Sequence, residues 1–406
     1  MDDQVKIISG RRPVAPGIGR SPKHPGSLTI AIDARWIFPR ISGIGRVTEK
    51  LISHLAEIDR GNRYLAIFSD PVLKERYDAL WKSYPNLSSV LVPWSIFSPR
   101  GQIALFPLLR RHRVDVFHST NYFIPLLGKV PRTVVTIHDL IPLIFPQFTP
   151  RAKKTRFHFF FRWVIRRCVR RADKVIAISE RTRDDLRRHL GLSGEKIAVV
   201  YDGVDKKYRP LAPAEARRRL PERIDPSVPF VFFVGRLDPY KNAAALVRAF
   251  ALFIKESGED ARLAIASHRD PRYPEVFSAI AASGCAERIV FLDGLSEEEI
   301  IALYASARVT VLPSLYEGFG LPPLESMACG TPVICSDRGA LPEVVGEAAL
   351  IAEPEPAALA AALKRIWRDD KLRADLRAKG LKRAAEFSWE KMAREHLVVY
   401  RELAGL

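Results

Sequence analysis

The sequence predicts an α/β protein made of two Rossmann-like, doubly wound domains facing each other across a central cleft. Three observations lead there. Short apolar, β-branched runs alternate with helical patterns through residues 28–202. The same alternation then restarts near residue 229. The chain's 406 residues are also too many for one ordinary core, which makes two domains the expectation. A strand–helix alternation of this kind gives a parallel sheet covered by helices on both faces.

Taken in order, residues 1–27 are rich in Pro, Gly and basic side chains and lack an apolar stretch. They read as a flexible basic tail, not as a signal peptide. The first domain, 28–202, offers strands at "LTIAID" (28–33), "RYLAIF" (63–68), "VDVFH" (114–118), "RTVVTIHD" (132–139) and "KVIAIS" (174–179). Helical stretches lie between them, as at 46–58 and 151–171. A Pro-rich, charged segment over 202–228 reads as a hinge. The second domain, 203–387, carries strands at "PFVFFVG" (229–235), "ARLAIA" (261–266), "RIVFLDG" (288–294), "ARVTVLP" (307–313), "TPVICS" (331–336) and "ALIAE" (349–353). The stretch "SWEKMAREHLVVYREL" (388–403) is helical.

Composition narrows the class. A chain 47% hydrophobic and 27% charged is a soluble globular protein. Cys168, Cys285, Cys329 and Cys335 lie far apart and form no CxxC pair. That argues against a disulfide framework and a zinc site, and fits a reducing, cytoplasmic compartment. No apolar run is long enough to span a membrane. The net charge of +18 falls entirely within residues 1–202, while 203–406 is balanced. A basic half suggests an anionic partner: nucleic acid, anionic lipid or a phosphorylated substrate. Nucleic acid is the weaker choice, because no RRM, OB or helix-turn-helix signature is present. An NAD-dependent dehydrogenase is disfavoured too: "GIGRVT" (43–48) lacks the third glycine and comes a loop too late after its strand.

In two facing sheets of this type, ligands bind just beyond the carboxyl ends of the strands. After "PFVFFV" comes "GRLDPYKN", with Arg236 and Lys241 five residues apart and a helix beginning near Asn242. A guanidinium fork, an ammonium and a helix N-terminus suit two adjacent phosphates. After "ARVTVLP" comes "YEGFGLPPLE" (316–325). Gly318 and Gly320 let the backbone approach a ligand closely, and Pro322 and Pro323 suit the first turn of a helix. Glu317 is then expected in a flexible loop and Glu325 on a rigid helix, roughly 10 Å apart. The amides of Phe319, Gly320 and Leu321 would face a diphosphate between two hydroxyl-bearing units. Hydrolysis between paired carboxylates is the lesser alternative, since it needs the two to face each other across one bond.

The E-x7-E spacing, "GRLDPYKN", "GIGR" (43–46), "HD" (138–139) and "DGVD" (202–205), in that set and order over residues 28–404, resemble the retaining glycosyltransferases of the GT4 family with the GT-B fold. The resemblance implies that Glu325 binds the ribose hydroxyls and Glu317 the donor sugar. It implies that Arg236 and Lys241 hold the pyrophosphate and that His138 contacts the sugar's 6-hydroxyl. Gly43 and Gly45 match a loop that lets the first domain close over the donor, and the helix at 388–404 matches one that crosses back to the first domain. Many members have Asn where Asp202 stands. Asp139 could orient His138 or cap the next helix. The donor implied is a nucleoside-diphosphate sugar, with no other cofactor. No Asp-x-Asp occurs anywhere, so a metal-independent reaction is expected. "IDARWIFPRISGIGRVTEKLI" with "HDLIPLIFP" resembles bacterial mannosyltransferases of surface-polysaccharide assembly, which favours GDP-mannose over UDP- or dTDP-linked sugars.

One segment is left over. Residues 151–174 carry ten Lys and Arg interleaved with Phe157, Phe159, Phe160, Phe161 and Trp163. On a helix, Phe157, Phe160, Phe161, Val164 and Cys168 share a face expected to pack on the core. The basic remainder, with Phe159 and Trp163 at its boundary, would suit an anionic membrane surface. The expected partners are therefore a nucleotide-sugar donor, a lipid-linked saccharide acceptor and the inner face of the cytoplasmic membrane.

Overall fold

A computed structural model describes residues 26–39, 43–126, 130–148 and 158–406. Most of the expected tail, positions 151–157 and with them Phe157 lie outside the described residues.

Seven parallel strands form the first sheet: β1 (Thr29–Asp33), β2 (Arg63–Phe68), β3 (Leu87–Leu91), β4 (Val116–Ser119), β5 (Arg132–Ile137), β6 (Lys174–Ala177) and β7 (Ile197–Val199). They run in the order β3-β2-β1-β4-β5-β6-β7. Six parallel strands form the second: β8 (Phe230–Val234), β9 (Arg262–Ala266), β10 (Ile289–Leu292), β11 (Val309–Leu312), β12 (Val333–Ser336) and β13 (Leu350–Ala352), ordered β10-β9-β8-β11-β12-β13. Each sheet thus winds outward both ways from its first strand. The strand order reverses between β1 and β4 and again between β8 and β11, which are the crevices where doubly wound sheets take ligands.

The register places Ile30 opposite Tyr64 on one side and Val116 on the other. Central strands such as β1, β4 and β8 are buried almost throughout, as expected of sheets covered on both faces. Two strands not anticipated, β3 and β7, complete the edges of the first sheet. β3 reads "LSSVL" and is only half buried; β7 has three residues. Neither makes the apolar run that marks a central strand.

The helix Trp389–Ala404 packs Trp389, Met392, Ala393, Leu397 and Tyr400 into the first domain's core with Leu51, Ile52 and Leu55 of the helix Gly43–Ile58. Where the chain leaves the first domain it is pinned to this returning helix. Val204 bridges to Ser388, and a Cβ on Gly203 would lie 2.2 Å from the Trp389 nitrogen, so only glycine fits that crossing.

Two expectations are corrected. The first helix begins at Gly43, so Gly43 and Gly45 form its first turn and not a loop, and Gly45 is buried there. Phe160 is not in the core stripe. Within the helix His158–Arg171, Val164, Ile165, Cys168 and Val169 are buried, whereas Phe160 is 60% exposed. Its ring turns sideways to stack on Trp163, itself 53% exposed, with centroids 6.0 Å apart.

Candidate active site

The second domain contributes two loops at its switch point. After β8, Arg236 points to solvent, its side chain 69% exposed and steered by Asp238, with Nε to Oδ2 at 2.8 Å. Asp238 is fixed in turn by the Tyr273 hydroxyl, which donates at 2.9 Å. Lys241 ends a short turn, Pro239–Lys241, and donates from Nζ to both oxygens of Glu317, at 2.7 and 2.9 Å. Asn242 then opens the helix Ala243–Ser257 from a left-handed conformation with φ 59°, which Asn tolerates better than most residues. Its Nδ2 donates to the carbonyls of Pro313 and Pro354, and the Leu315 amide donates to Tyr240, so the two loops are stitched together.

Glu317 was expected in a flexible loop, and the structure corrects this. Besides Lys241 it accepts from Ser314 Oγ at 2.6 Å, its carbonyl accepts the Ala340 amide at 2.9 Å, and the residue is buried. A carboxylate taken out of water needs such partners, and they immobilise it. Beyond it, a Cβ on Gly318 would stand 1.9 Å from the His138 carbonyl oxygen, so glycine here is what lets the loop meet the first domain. Phe319 is buried between the rings of Tyr201 and Phe387. Gly320, at φ 131°, leads into the helix Leu321–Ala328, whose first turn holds Pro322 and Pro323. Glu325, on that helix, accepts the Tyr304 hydroxyl on Oε2 at 2.9 Å and Arg46 Nη1 on Oε1 at 2.6 Å.

On the first domain's side, His138 follows β5 and is buried, with Nε2 at 2.9 Å from the Thr120 carbonyl. A carbonyl can only accept, so Nε2 carries the hydrogen and Nδ1 keeps its lone pair. Burial pushes the imidazole's pKa down to about 4, against the opposing pull of the Thr120 bond, so the ring is neutral at pH 7. Asp139 Oδ1 accepts the Ile141 amide at 2.9 Å, the first N–H of the next helix, Ile141–Ile144.

The two domains touch around these residues. Ser179 Oγ donates to the Gly318 carbonyl at 2.7 Å, and the Tyr316 hydroxyl donates to Asp185. The Glu343 carboxylate accepts the amides of Glu180 and Arg181, the free N–H groups opening the helix Glu180–Leu190. Lys241, Glu317, Gly318 and His138 are thereby brought together, while Arg236 and Glu325 have other partners. Arg46, Ser314, Tyr304, Thr120 and Glu343 were missed by sequence reasoning. Arg46 alone had a visible signal, as the last residue of "GIGR". The others are single polar residues whose partners lie far off in the chain.

Residues 41–208 match the family described as Glycosyltransferase Family 4, and residues 216–383 match that described as Glycosyl transferases group 1. The chain is a family 4 glycosyltransferase. This glycosyltransferase is 28% identical over 377 residues to the O-antigen chain mannosyltransferase B of Escherichia coli, covering 89% of the chain and 97% of that relative. Against the MMP alpha-(1->4)-mannosyltransferase of Mycolicibacterium hassiacum it is 34% identical over 242 residues, 58% of the chain and 56% of the relative. Among solved structures, sucrose-phosphate synthase from Thermosynechococcus elongatus superposes with a TM-score of 0.76 at 23% identity, covering 93% of this chain and 99% of that one. Anabaena HepE in complex with UDP and glucose gives 0.69 at 19%, covering 91% and 98%. At these identities the superpositions establish the GT-B fold of the glycosyltransferase.

Proposed function

We propose that the enzyme transfers mannose from GDP-mannose, with retention of configuration and without a metal ion, to a lipid-linked glycan in polysaccharide assembly. The observation that carries this reading is the Lys241–Glu317 pair held against His138 through Gly318, at the switch point of one sheet and the strand ends of the other. The name of the Escherichia coli relative, matched over nearly its full length, supports mannose as the sugar.

In this reading Arg236 and Lys241 supply positive charge to the departing diphosphate, the place a divalent ion takes in other transferases. The donor sugar lies between Glu317 and His138. Because Nε2–H of His138 is spent on Thr120, the sugar hydroxyl donates to Nδ1. The acceptor hydroxyl attacks the anomeric carbon from the face the diphosphate leaves. The bond from that carbon to the phosphate oxygen breaks as the new glycosidic bond forms, and the hydroxyl proton passes to the departing phosphate oxygen. Closing the cleft excludes water and limits hydrolysis.

The membrane is the proposed meeting place with the acceptor. The helix His158–Arg171 exposes Phe160 and Trp163 together with Arg166, Arg167, Arg170 and Arg171, an aromatic and cationic surface suited to anionic headgroups. Among the described residues no helix is long and apolar enough to cross a membrane. UDP-glucose is the second donor reading, favoured by the UDP complexes of the HepE structure. Thermal unfolding with GDP, UDP, NAD⁺ and a short oligonucleotide tests the class. A midpoint raised by GDP, or by UDP alone, supports a nucleotide-sugar site. A response only to NAD⁺ or to the oligonucleotide contradicts it.

A further inference from the structure

The helix Gly43–Ile58 reaches across the cleft, and its Arg46 meets Glu325. Arg46 donates from Nη1 to Glu325 at 2.6 Å, lies 3.4 Å from the Tyr208 hydroxyl, and holds Nη2 3.7 Å from Glu297. The other oxygen of Glu325 is taken by Tyr304. Around this contact Lys50 pairs with Asp205 at 2.8 Å and Lys207 with Glu297 at 2.6 Å. The space left against Glu325, walled by Arg46, Val204, Tyr208, Glu297 and Trp389, is about 10 Å³. That is room for about one water and far too little for a five-membered sugar ring. The carboxylate read above as the ribose-binding group therefore already has an occupant, and that occupant comes from the opposite domain.

We propose that Arg46 is an internal competitor for the ribose site, seated on Glu325 when no donor is bound and required to leave before the donor can enter. The chemistry of the two occupants is alike. A vicinal diol and a guanidinium each offer paired hydrogen-bond donors to a carboxylate. With Arg46 in place, Glu325 is neutralised and hydrogen-bonded although nearly buried, so the cleft can shut on itself without stranding a charge. Entry of the ribose exchanges this tie between domains for a tie to the ligand, and departure of the nucleotide restores it. A fraction of the molecules is thereby held in a non-binding state, which weakens apparent donor affinity by that fraction. Arg46 is about one-third exposed, so the handicap is modest: several-fold, not several hundred-fold.

The proposal rests on Glu325 as the ribose group and makes a prediction with an unusual sign: removing a cation from the binding site of an anionic nucleotide tightens binding. Calorimetric titration of the full chain with GDP and with UDP should show Arg46→Gln binding the tighter of the two nucleotides about 3- to 10-fold more strongly than wild type, with Glu325→Gln weaker than both. Arg46→Met, of similar length and uncharged, should behave as Arg46→Gln does and decides the matter if the glutamine variant folds poorly. Equal or weaker binding by the Arg46 variants overturns the proposal; weaker binding would make Arg46 a phosphate ligand instead. If wild type binds neither nucleotide, the donor reading falls and this inference with it. If wild type binds, Glu325→Gln weakens binding and the Arg46 variants bind no tighter, the competitor alone falls.

Discussion

Glu317 and Glu325 are both buried carboxylates, yet their partners give them different tasks. Glu317 is locked to Lys241 and Ser314 in the loop that meets His138, where the reacting sugar would lie. Glu325 sits one helix turn further on, beside Tyr304 and Tyr208. Replacing Glu325 with Ala should raise the donor KM about tenfold with a smaller effect on kcat, because ribose contacts are similar in ground and transition states. Replacing Glu317 with Ala should lower kcat by about 10²-fold, on the scale of losing one preorganised group at the reacting centre. Steady-state kinetics on the two variants checks the split, and equal effects on KM and kcat in both would remove the distinction. Asp202 makes a different point. Burial alone pushes its pKa up to about 7, and among the described residues no hydrogen bond or ion pair reaches its carboxyl. Its folded pKa is raised, so its contribution to stability is full below the unfolded value near 3.8 and is lost as pH rises through 7. Asp202→Asn should therefore stabilise the protein by about 1–3 kcal/mol at pH 8 and by little at pH 4, read from thermal unfolding at the two values.

At the scale of elements, the central strands were legible because a strand buried on both faces is a continuous apolar run, as in "FVFFV" and "RTVVTI". The edge strands β3 and β7 were not, since a half-buried edge keeps polar residues such as Ser88 and Ser89. The site residues that follow strands were visible for a related reason: topology alone sends them to the cleft. What the sequence could not reveal was pairing across the chain. Arg46 and Glu325 are 279 positions apart, and no local pattern announces their contact. Phe160 illustrates the same limit within one helix. Its spacing from Val164 fits a core stripe, but the ring takes the Trp163 side and stays in solvent. That outcome sharpens the prediction for this helix. Sedimentation with vesicles containing anionic lipid should show binding that falls steeply with salt. It should weaken when Arg166, Arg167, Arg170 and Arg171 become Glu, and also when Phe160 and Trp163 become Ser. Equal partition onto neutral vesicles, or none onto anionic ones, would count against the membrane reading.

At the scale of the whole molecule, two sheets wound in the same order set their switch points face to face, and contacts among the described residues tie them together. The chain at Gly203 is pinned under the returning helix. Ser179 and Glu343 join the domains beside the donor loop, and Arg46 joins them at Glu325. In the proposed function, the positive charge of the first domain would meet an anionic membrane, and Arg236 and Lys241 of the second would meet the diphosphate. The central claim is that this cleft moves mannose from a nucleoside diphosphate with retained configuration and without metal. The most direct measurement is product formation by the purified enzyme from GDP-mannose and a lipid-linked saccharide acceptor in excess EDTA, with the new linkage assigned by NMR. The account predicts transfer that survives EDTA, an α-linked mannose matching the donor's own anomer, and a loss of about 10²-fold or more in kcat/KM on replacing Arg236 or Lys241 with Ala. A β-linked product, transfer abolished by EDTA and restored by Mg²⁺, or no transfer from GDP-mannose alongside efficient transfer from another sugar nucleotide would contradict it.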